Sequence, residues 1–329
     1  MLIHKISNLN DLRDLLFLFK EQNYAFISYI SGEYGIMMWI YRNAVTKFYE
    51  EMKGKSKKTV AFVFKNTKYF AHTVCDEIIE FQDIEFEEDI DSIPYYGNDG
   101  WAKKYIYGIE SKAYDNILNE VNFENIFYTL NADGSTYSNQ VNKNIDQFAP
   151  ICLYKIDNQD ITLPSFNYCL ENFRHIEYLP KQKVKYNQIA MWIRNTNKWE
   201  MRNLSSGAYN SIFKYCIKNQ IVCKVFLDFI PIDLPDNKYI IDCTDKFKGR
   251  PNWDHFIDVV NESDFYIGSA SGSSDIVFYN IKIDCLLENI QHYHSSIINL
   301  INERKLQGLI CEGIHFESQL AGILDSFYS

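Results

Sequence analysis

The sequence predicts an α/β chain built as two doubly wound units, and three observations carry that expectation. Apolar runs rich in Ile, Val, Phe and Tyr, among them 59–64, 189–193 and 221–227, alternate with segments whose apolar residues recur at helical spacing. The run at 189–193 has no polar interruption, the mark of a parallel strand covered on both faces. A length of 329 residues is enough for two cores. The chain turns from apolar to basic at Pro180-Lys-Gln-Lys-Val-Lys185, which sets the expected boundary between a domain over 1–179 and one over 180–329.

In chain order, Asn8 stands as a cap before a segment with helical apolar spacing that runs to Lys20. Residues 24–30 read as a strand that enters Ser31-Gly-Glu-Tyr-Gly35, and a helix is expected from Ile36 to about Glu51. The two glycines have two readings: a tight turn, or a backbone that a substrate can approach beside Glu33, a candidate general base. Lys53–Lys58 reads as a basic surface turn and lacks the spacing of a phosphate loop. Thr59–Phe64 is a strand, and a helix is expected through His72, Asp76 and Glu80. The acidic stretch 82–91 reads as an exposed connection, and turn residues punctuate 93–145 as in an insertion or lid. Strands are expected at 152–156 and 160–164, and a helix at 167–178.

The second half is more regular. The strand 189–193 is followed by a helix over 205–218, strands at 221–228 and 238–244, and a helix over 253–261. A short strand then leads into the small-residue turn Gly268-Ser-Ala-Ser-Gly-Ser-Ser274, a further helix from 276, and a strand over 281–287. Such regular alternation is what a parallel, doubly wound sheet requires.

The formal charge of −10 argues against a broad basic face for nucleic acid, while a local basic pocket remains compatible with a phosphate-bearing small molecule. The eight cysteines are dispersed without C-x-x-C and read as reduced, buried thiols of a cytoplasmic protein. Early charges at His4, Lys5, Asp11, Arg13 and Asp14 depart from a cleaved signal peptide, and no apolar run reaches the roughly 20 residues of a membrane span.

Two stretches carry chemistry. Arg194, Lys198 and Arg202, interleaved with Asn195, Thr196 and Asn197, sit where an apolar strand reaches its carboxyl end. Ligands bind at that edge of open α/β sheets, and a guanidinium fork beside an ammonium suits a phosphate or diphosphate. The alternative is a set of cations that only solvate a strand–helix loop. The turn at 268–274 offers backbone N–H groups and hydroxyls at a helix start, a place that favours anions. Asp275 reads as a cap, and Asp264 as either a cap or a partner for a sugar hydroxyl.

Trp192-Ile-Arg-Asn-Thr-Asn-Lys198 and Glu262-Ser-Asp-Phe-Tyr-Ile-Gly-Ser-Ala-Ser-Gly-Ser-Ser274, about seventy residues apart, resemble two motifs in the donor half of GDP-fucose-dependent fucosyltransferases. The resemblance covers roughly 186–290, with Asn195 where that family often has a second Arg and Asn197 where it has Asp. It implies a GT-B glycosyltransferase, two Rossmann-like domains facing a central cleft, with the nucleotide sugar in the C-terminal half. Arg194 would then hold the donor diphosphate, Asp264 would orient the donor, and Ser271, Ser273 and Ser274 would line the phosphate pocket. Asn195, Arg202, Ser269 and Gly272 complete the donor site, and Glu288 is placed at the ribose or sugar.

The expected reaction is metal-independent transfer of a sugar from a nucleoside diphosphate to a glycan or other hydroxyl acceptor, with no cofactor beyond the donor. Arg194 and Lys198 would neutralise the leaving diphosphate and Glu33 would serve as base. No D-x-D stands at a strand end; Asp228, Asp242 and Asp245 read as loop acids, and His292 and His294 as surface residues. One alternative is a non-catalytic nucleotide or sugar-phosphate binding protein of the same two-lobed shape. Another, a NAD-dependent enzyme, lacks G-x-G-x-x-G after the first strand.

Overall fold

The computed structural model describes residues 1–29, 32–83, 106–107, 111–130, 151–162, 187–197, 200–228, 230–247, 249–289, 305, 311–314 and 317–328. The chain divides into two compact units, Met1–Ile176 with Lys248–Arg250, and Glu177–Phe247 with Pro251–Ser329. The boundary expected at 180, the acidic stretch beyond Asp83, the helix expected at 167–178 and the pair His292 and His294 lie outside the described residues.

The first unit opens with β1 (Leu2–Ile6), a strand the sequence reading did not anticipate, and a helix over Leu9–Glu21. Asn8 caps that helix by accepting from Asp11 N at 2.9 Å, and the helix buries Leu12, Leu16 and Phe19 on one stripe. The strand β2 (Ala25–Ile27) follows, then β3 (Gly32–Glu33) and a helical stretch that includes a π turn at Met37–Tyr41 before continuing over Arg42–Gly54. Next come β4 (Thr59–Phe64), β5 (Glu77–Phe81), β6 (Ile106–Tyr107) and, after a helix over Ser111–Val121, β7 (Ile126–Leu130). β8 (Ile151–Ile156) and β9 (Gln159–Thr162) complete it.

The seven-stranded sheet runs β1-β5-β4-β2-β7-β8-β9 among the described residues, parallel through β7 and antiparallel beyond, while β3 pairs antiparallel with β6. The helix expected through His72 to Glu80 is instead a short 3-10 turn, Lys68–Phe70, and the strand β5. Glu77-Ile-Ile-Glu-Phe81 is β-branched at its centre and pairs on both sides, with β1 and β4, so tertiary pairing overrides the helical spacing.

The second unit holds β10 (Gln188–Ile193), a helix over Ser206–Asn219, β11 (Val222–Leu227) and β12 (Ile240–Asp242). After two short strands, β13 (Lys246–Phe247) and β14 (Arg250–Pro251), come a helix over Trp253–Asn261 and β15 (Phe265–Ser269). A helix over Gly272–Asn280, β16 (Asp284–Glu288), β17 (Cys311–Ile314) and a helix over Glu317–Tyr328 finish the unit. The six strands pair in parallel in the order β12-β11-β10-β15-β16-β17.

Both faces of β10 are covered, as its apolar run requires. Ile189, Met191 and Ile193 join a core with Ile212, Phe213 and Cys216 of the 206–219 helix and Leu324 of the last helix. On the other face Trp192 stacks between Trp253 at 5.3 Å and Phe226 at 5.9 Å. The alternation of odd and even residues between the two layers is the period of a strand, and it makes β10 the buried spine of the unit.

Candidate anion site at the switch point of the second sheet

Renumbered in chain order, the second sheet runs 3-2-1-4-5-6, and its order reverses between β10 and β15. Crossovers from the two strands flanking such a reversal wind to opposite faces, so the loops at their carboxyl ends part and leave a crevice. The loops at this reversal are 194–205 and 270–271, the two stretches the sequence marks as chemical.

The loop after β10 folds back on itself around Asn203. Its side-chain carbonyl accepts from Arg194 Nη1 at 2.6 Å and from Thr196 N at 3.2 Å, and its amide donates to Thr196 O at 2.9 Å. Leu204 N donates to Arg194 O at 3.2 Å, so the loop closes beside the strand that launched it. Arg194 is 5% exposed, a guanidinium withdrawn from bulk water. Arg202 reaches across the reversal: its Nε donates to Ala270 O at 2.6 Å. Asn195 turns the other way, exchanging hydrogen bonds with the backbone of Ile230. Lys198 lies outside the described residues.

The turn after β15 is held by its own hydroxyls. Ser271 is the N-cap of the 272–280 helix; its Oγ lies 2.8 Å from Ser273 Oγ, and Ser274 Oγ donates to Ser269 O at 2.6 Å. Ser269, Ser271, Ser273 and Ser274 are all buried, while Gly272 is half-buried at the helix start. The hydroxyls of Ser271 and Ser274 therefore shape the turn, and the helix N-terminus with its partial positive charge starts just past the carboxyl end of β15.

Two expected donor contacts are placed elsewhere. Asp264 precedes β15, at the amino edge of the sheet, where its backbone N donates to Gln188 O at 2.8 Å and its carboxylate accepts from Gln188 N at 3.2 Å. The five residues of β15 separate it from Ser269 by about 15 Å at the rise of a strand, so it ties the sheet's amino end and has no place in the crevice. Glu288 does reach the carboxyl edge, but both its oxygens are engaged at 2.6 Å by Ser205, one by the backbone N and one by the hydroxyl. It braces the N-cap of the 206–219 helix. Glu33 belongs to the first unit, on β3.

The sequence reading did not single out the roles of Asn203, Ser205 and Asn289. Ser205 carries a legible signal, a serine at the start of a helical pattern, and its Oγ accepts from Ala208 N at 3.2 Å. Asn289, with φ of 61°, donates from its side chain to Asn203 O at 2.8 Å. Only the fold brings residues 86 positions apart together there. Among the described residues no group of three or more His, Cys, Asp or Glu side chains could hold a metal ion, and no helix is long and apolar enough to cross a membrane.

No family model matches the chain, and no curated protein sequence matches it. Among solved structures it is similar to the bacterial iron-containing dodecameric glycosyltransferase TibC from enterotoxigenic E. coli H10407, at 9% identity and a TM-score of 0.31 over 83% of this chain and 61% of that one. It is also similar to the dodecameric iron-containing heptosyltransferase TibC in complex with ADP-D-beta-D-heptose, at 8% identity and a TM-score of 0.31 over 80% of this chain and 57% of that one. The chain thus spans about three fifths of the length of these structures.

Proposed function

We propose that this protein is a glycosyltransferase that moves a sugar from a nucleoside-diphosphate sugar to a hydroxyl acceptor, with the donor diphosphate held at the switch point of the second sheet. The observation that carries the reading is the 2.6 Å bond from Arg202 Nε to Ala270 O, which joins the cationic loop to the serine turn. In this reading Arg194, Arg202 and the N-terminus of the 272–280 helix act as one set of positive groups suited to a diphosphate.

In the reaction the bond between the anomeric carbon and the diphosphate oxygen breaks, and negative charge grows on the leaving group. Preorganised cations and a helix N-terminus stabilise that charge most in the transition state, which is where rate is gained. In this reading Arg194 and Lys198 take that role, and Glu33 is the candidate base that accepts the proton of the acceptor's hydroxyl. The two sequence motifs make a GDP-linked sugar one candidate donor and leave the sugar open, the chemistry assigned to these residues requires no metal, and a cytoplasmic location is part of the same proposal.

Titration of the purified chain with inorganic pyrophosphate, with GDP, UDP, ADP, CDP and dTDP, and with their sugars tests the reading and identifies the base. Binding of one nucleoside diphosphate, with slow hydrolysis of its sugar conjugate, is the expected result. Arg194→Ala should lower kcat/KM about 100- to 1000-fold, the scale of losing one transition-state donor. Turnover within threefold of the parent would remove Arg194 from the mechanism. Tight product binding without turnover on any acceptor would instead make the chain a nucleotide-binding protein.

A further inference from the structure

We infer that the carboxyl ends of β10 and β11 form a nucleobase subsite, with Ile230 under the ring and Asn195 and Lys246 reading its edge. That edge selects a base with a carbonyl next to a ring N–H, as in guanine, uracil and thymine. The inference rests on the proposed diphosphate reading of the switch point and adds the class of base the donor carries.

A diphosphate bound between β10 and β15 can extend its nucleoside along the sheet edge in either direction. Toward β16 the edge is taken up by its own bonds: Glu288 is spent on Ser205, and Asn289 on Asn203 O. Toward β11 three side chains gather. Ile230 N donates to Asn195 O at 3.1 Å, and Asn195 Nδ2 donates to Ile230 O at 3.1 Å. This double tie holds Ile230 at the rim with its apolar side chain 36% exposed. Two residues earlier, Asp228 N still pairs with Ile193 O at 3.3 Å, and Asp228 O takes Lys246 Nζ at 2.9 Å. Two residues of chain span at most about 7 Å, so one nucleobase can reach both the ammonium and the Asn195–Ile230 pair.

The donors and acceptors on this rim have a definite sense. An ammonium carries three N–H donors and no acceptor, and Lys246 spends one of them on Asp228 O. Asn195 is half-buried and its Nδ2 is pinned to Ile230 O, which fixes Oδ1 as the accepting end of the amide. A donor-only group beside a fixed acceptor matches a carbonyl beside a ring N–H. Adenine and cytosine present the reverse, an amino donor beside a ring nitrogen that accepts, and would set donor against donor. Ile230 adds an apolar surface that any base can cover, so it contributes affinity without choosing among them.

Calorimetry on the full chain gives Kd for inorganic pyrophosphate and for GDP, UDP, dTDP, ADP and CDP, and a thermal melt gives Tm without ligand. The tightest of GDP, UDP and dTDP should bind about tenfold or more tighter than ADP and CDP, the scale of one hydrogen bond from a charged group. Lys246→Met keeps the length of the side chain and removes the ammonium. It should erase most of that preference and leave pyrophosphate binding unchanged. A lysine that merely tethers β11 would act otherwise, lowering Tm and weakening pyrophosphate and every nucleotide alike, and that result would overturn the inference. An unchanged preference in Lys246→Met would overturn it too. The parent's own ranking needs no variant and decides if Lys246→Met does not fold: ADP or CDP bound as tightly as the best of the other three overturns the inference and leaves the diphosphate reading intact. A parent that binds neither pyrophosphate nor any nucleoside diphosphate would overturn both.

Discussion

A β-carbon at Gly268 would stand 2.6 Å from the Tyr266 hydroxyl, 2.7 Å from Ser274 Oγ and 2.9 Å from Tyr266 Cζ. Tyr266 is fully buried, and its hydroxyl lies 2.9 Å from Ser274 Oγ, so neither neighbour can swing aside without breaking the bond that ties strand to helix. Burial of the phenol raises its pKa well above the usual tyrosine value, which keeps it a neutral partner for Ser274. Gly268→Ala should therefore destabilise the chain by about 1–3 kcal/mol, the range for overpacking a close-packed site. A lower urea midpoint with an unchanged slope would show it, and a midpoint equal to the parent's would mean the turn has slack the contacts do not reveal. The glycine was legible in the sequence as part of a small-residue turn. Its reason was not, because the atoms that exclude a side chain include those of the residue two positions earlier, folded back by the strand's pleat.

At the scale of elements, the edge of the second sheet is tied together by the loops that leave it. Ser205 caps the 206–219 helix while Glu288 of β16 accepts from both its N and its Oγ, so the start of one helix is anchored to a strand two places away in the sheet. Losing an N-cap costs about 1 kcal/mol, and Ser205→Ala should cost at least that, since Glu288 loses a partner as well. The two changes are coupled: Ser205→Ala in a Glu288→Ala background should cost less than in the parent, by about 0.5–1 kcal/mol in a double-mutant cycle. Strictly additive losses would show that the contact adds nothing. The elements themselves were largely legible: β4 and the helix over 253–261 fall where periodicity puts them, and β10 is one residue longer than its apolar run. Legibility failed where pairing with distant strands decides, as at β1 and β5, whose short, mixed sequences become strands because each finds the other. It failed in the site for a related reason. The type of residue marks Arg194 and Arg202, but only the fold gives Asp264 its bond from Gln188 and Glu288 its bonds from Ser205.

For the molecule as a whole, the first unit depends on a carboxylate that holds three segments together. Glu77 opens β5, its Oε2 bonds His4 Nε2 of β1 at 2.7 Å, and its Oε1 accepts from the Tyr24 hydroxyl, just ahead of β2, at 2.6 Å. Burial by itself would raise the Glu77 carboxyl, but the hydrogen bonds from Tyr24 and His4, with the charge of Lys58 nearby, outweigh it and leave it below the ordinary carboxylate range. The sign of the pH dependence follows from that direction. An acid held lower in the folded chain than in the unfolded one stabilises the fold above the unfolded value, about 4.3 for glutamate, and loses this contribution as pH falls through the folded value. Glu77→Gln keeps the size of the side chain and removes the charge, so the variant should be less stable than the parent at pH 7, on the order of 1 kcal/mol for the charge-assisted bonds. That gap should narrow as pH falls below the unfolded glutamate value and through the lower folded one. Urea midpoints followed by circular dichroism from pH 7 to pH 3 measure the gap directly. A constant gap across that range would mean that Glu77 acts through packing alone, and that the edge strand β1 is held by its backbone pairing rather than by this charge.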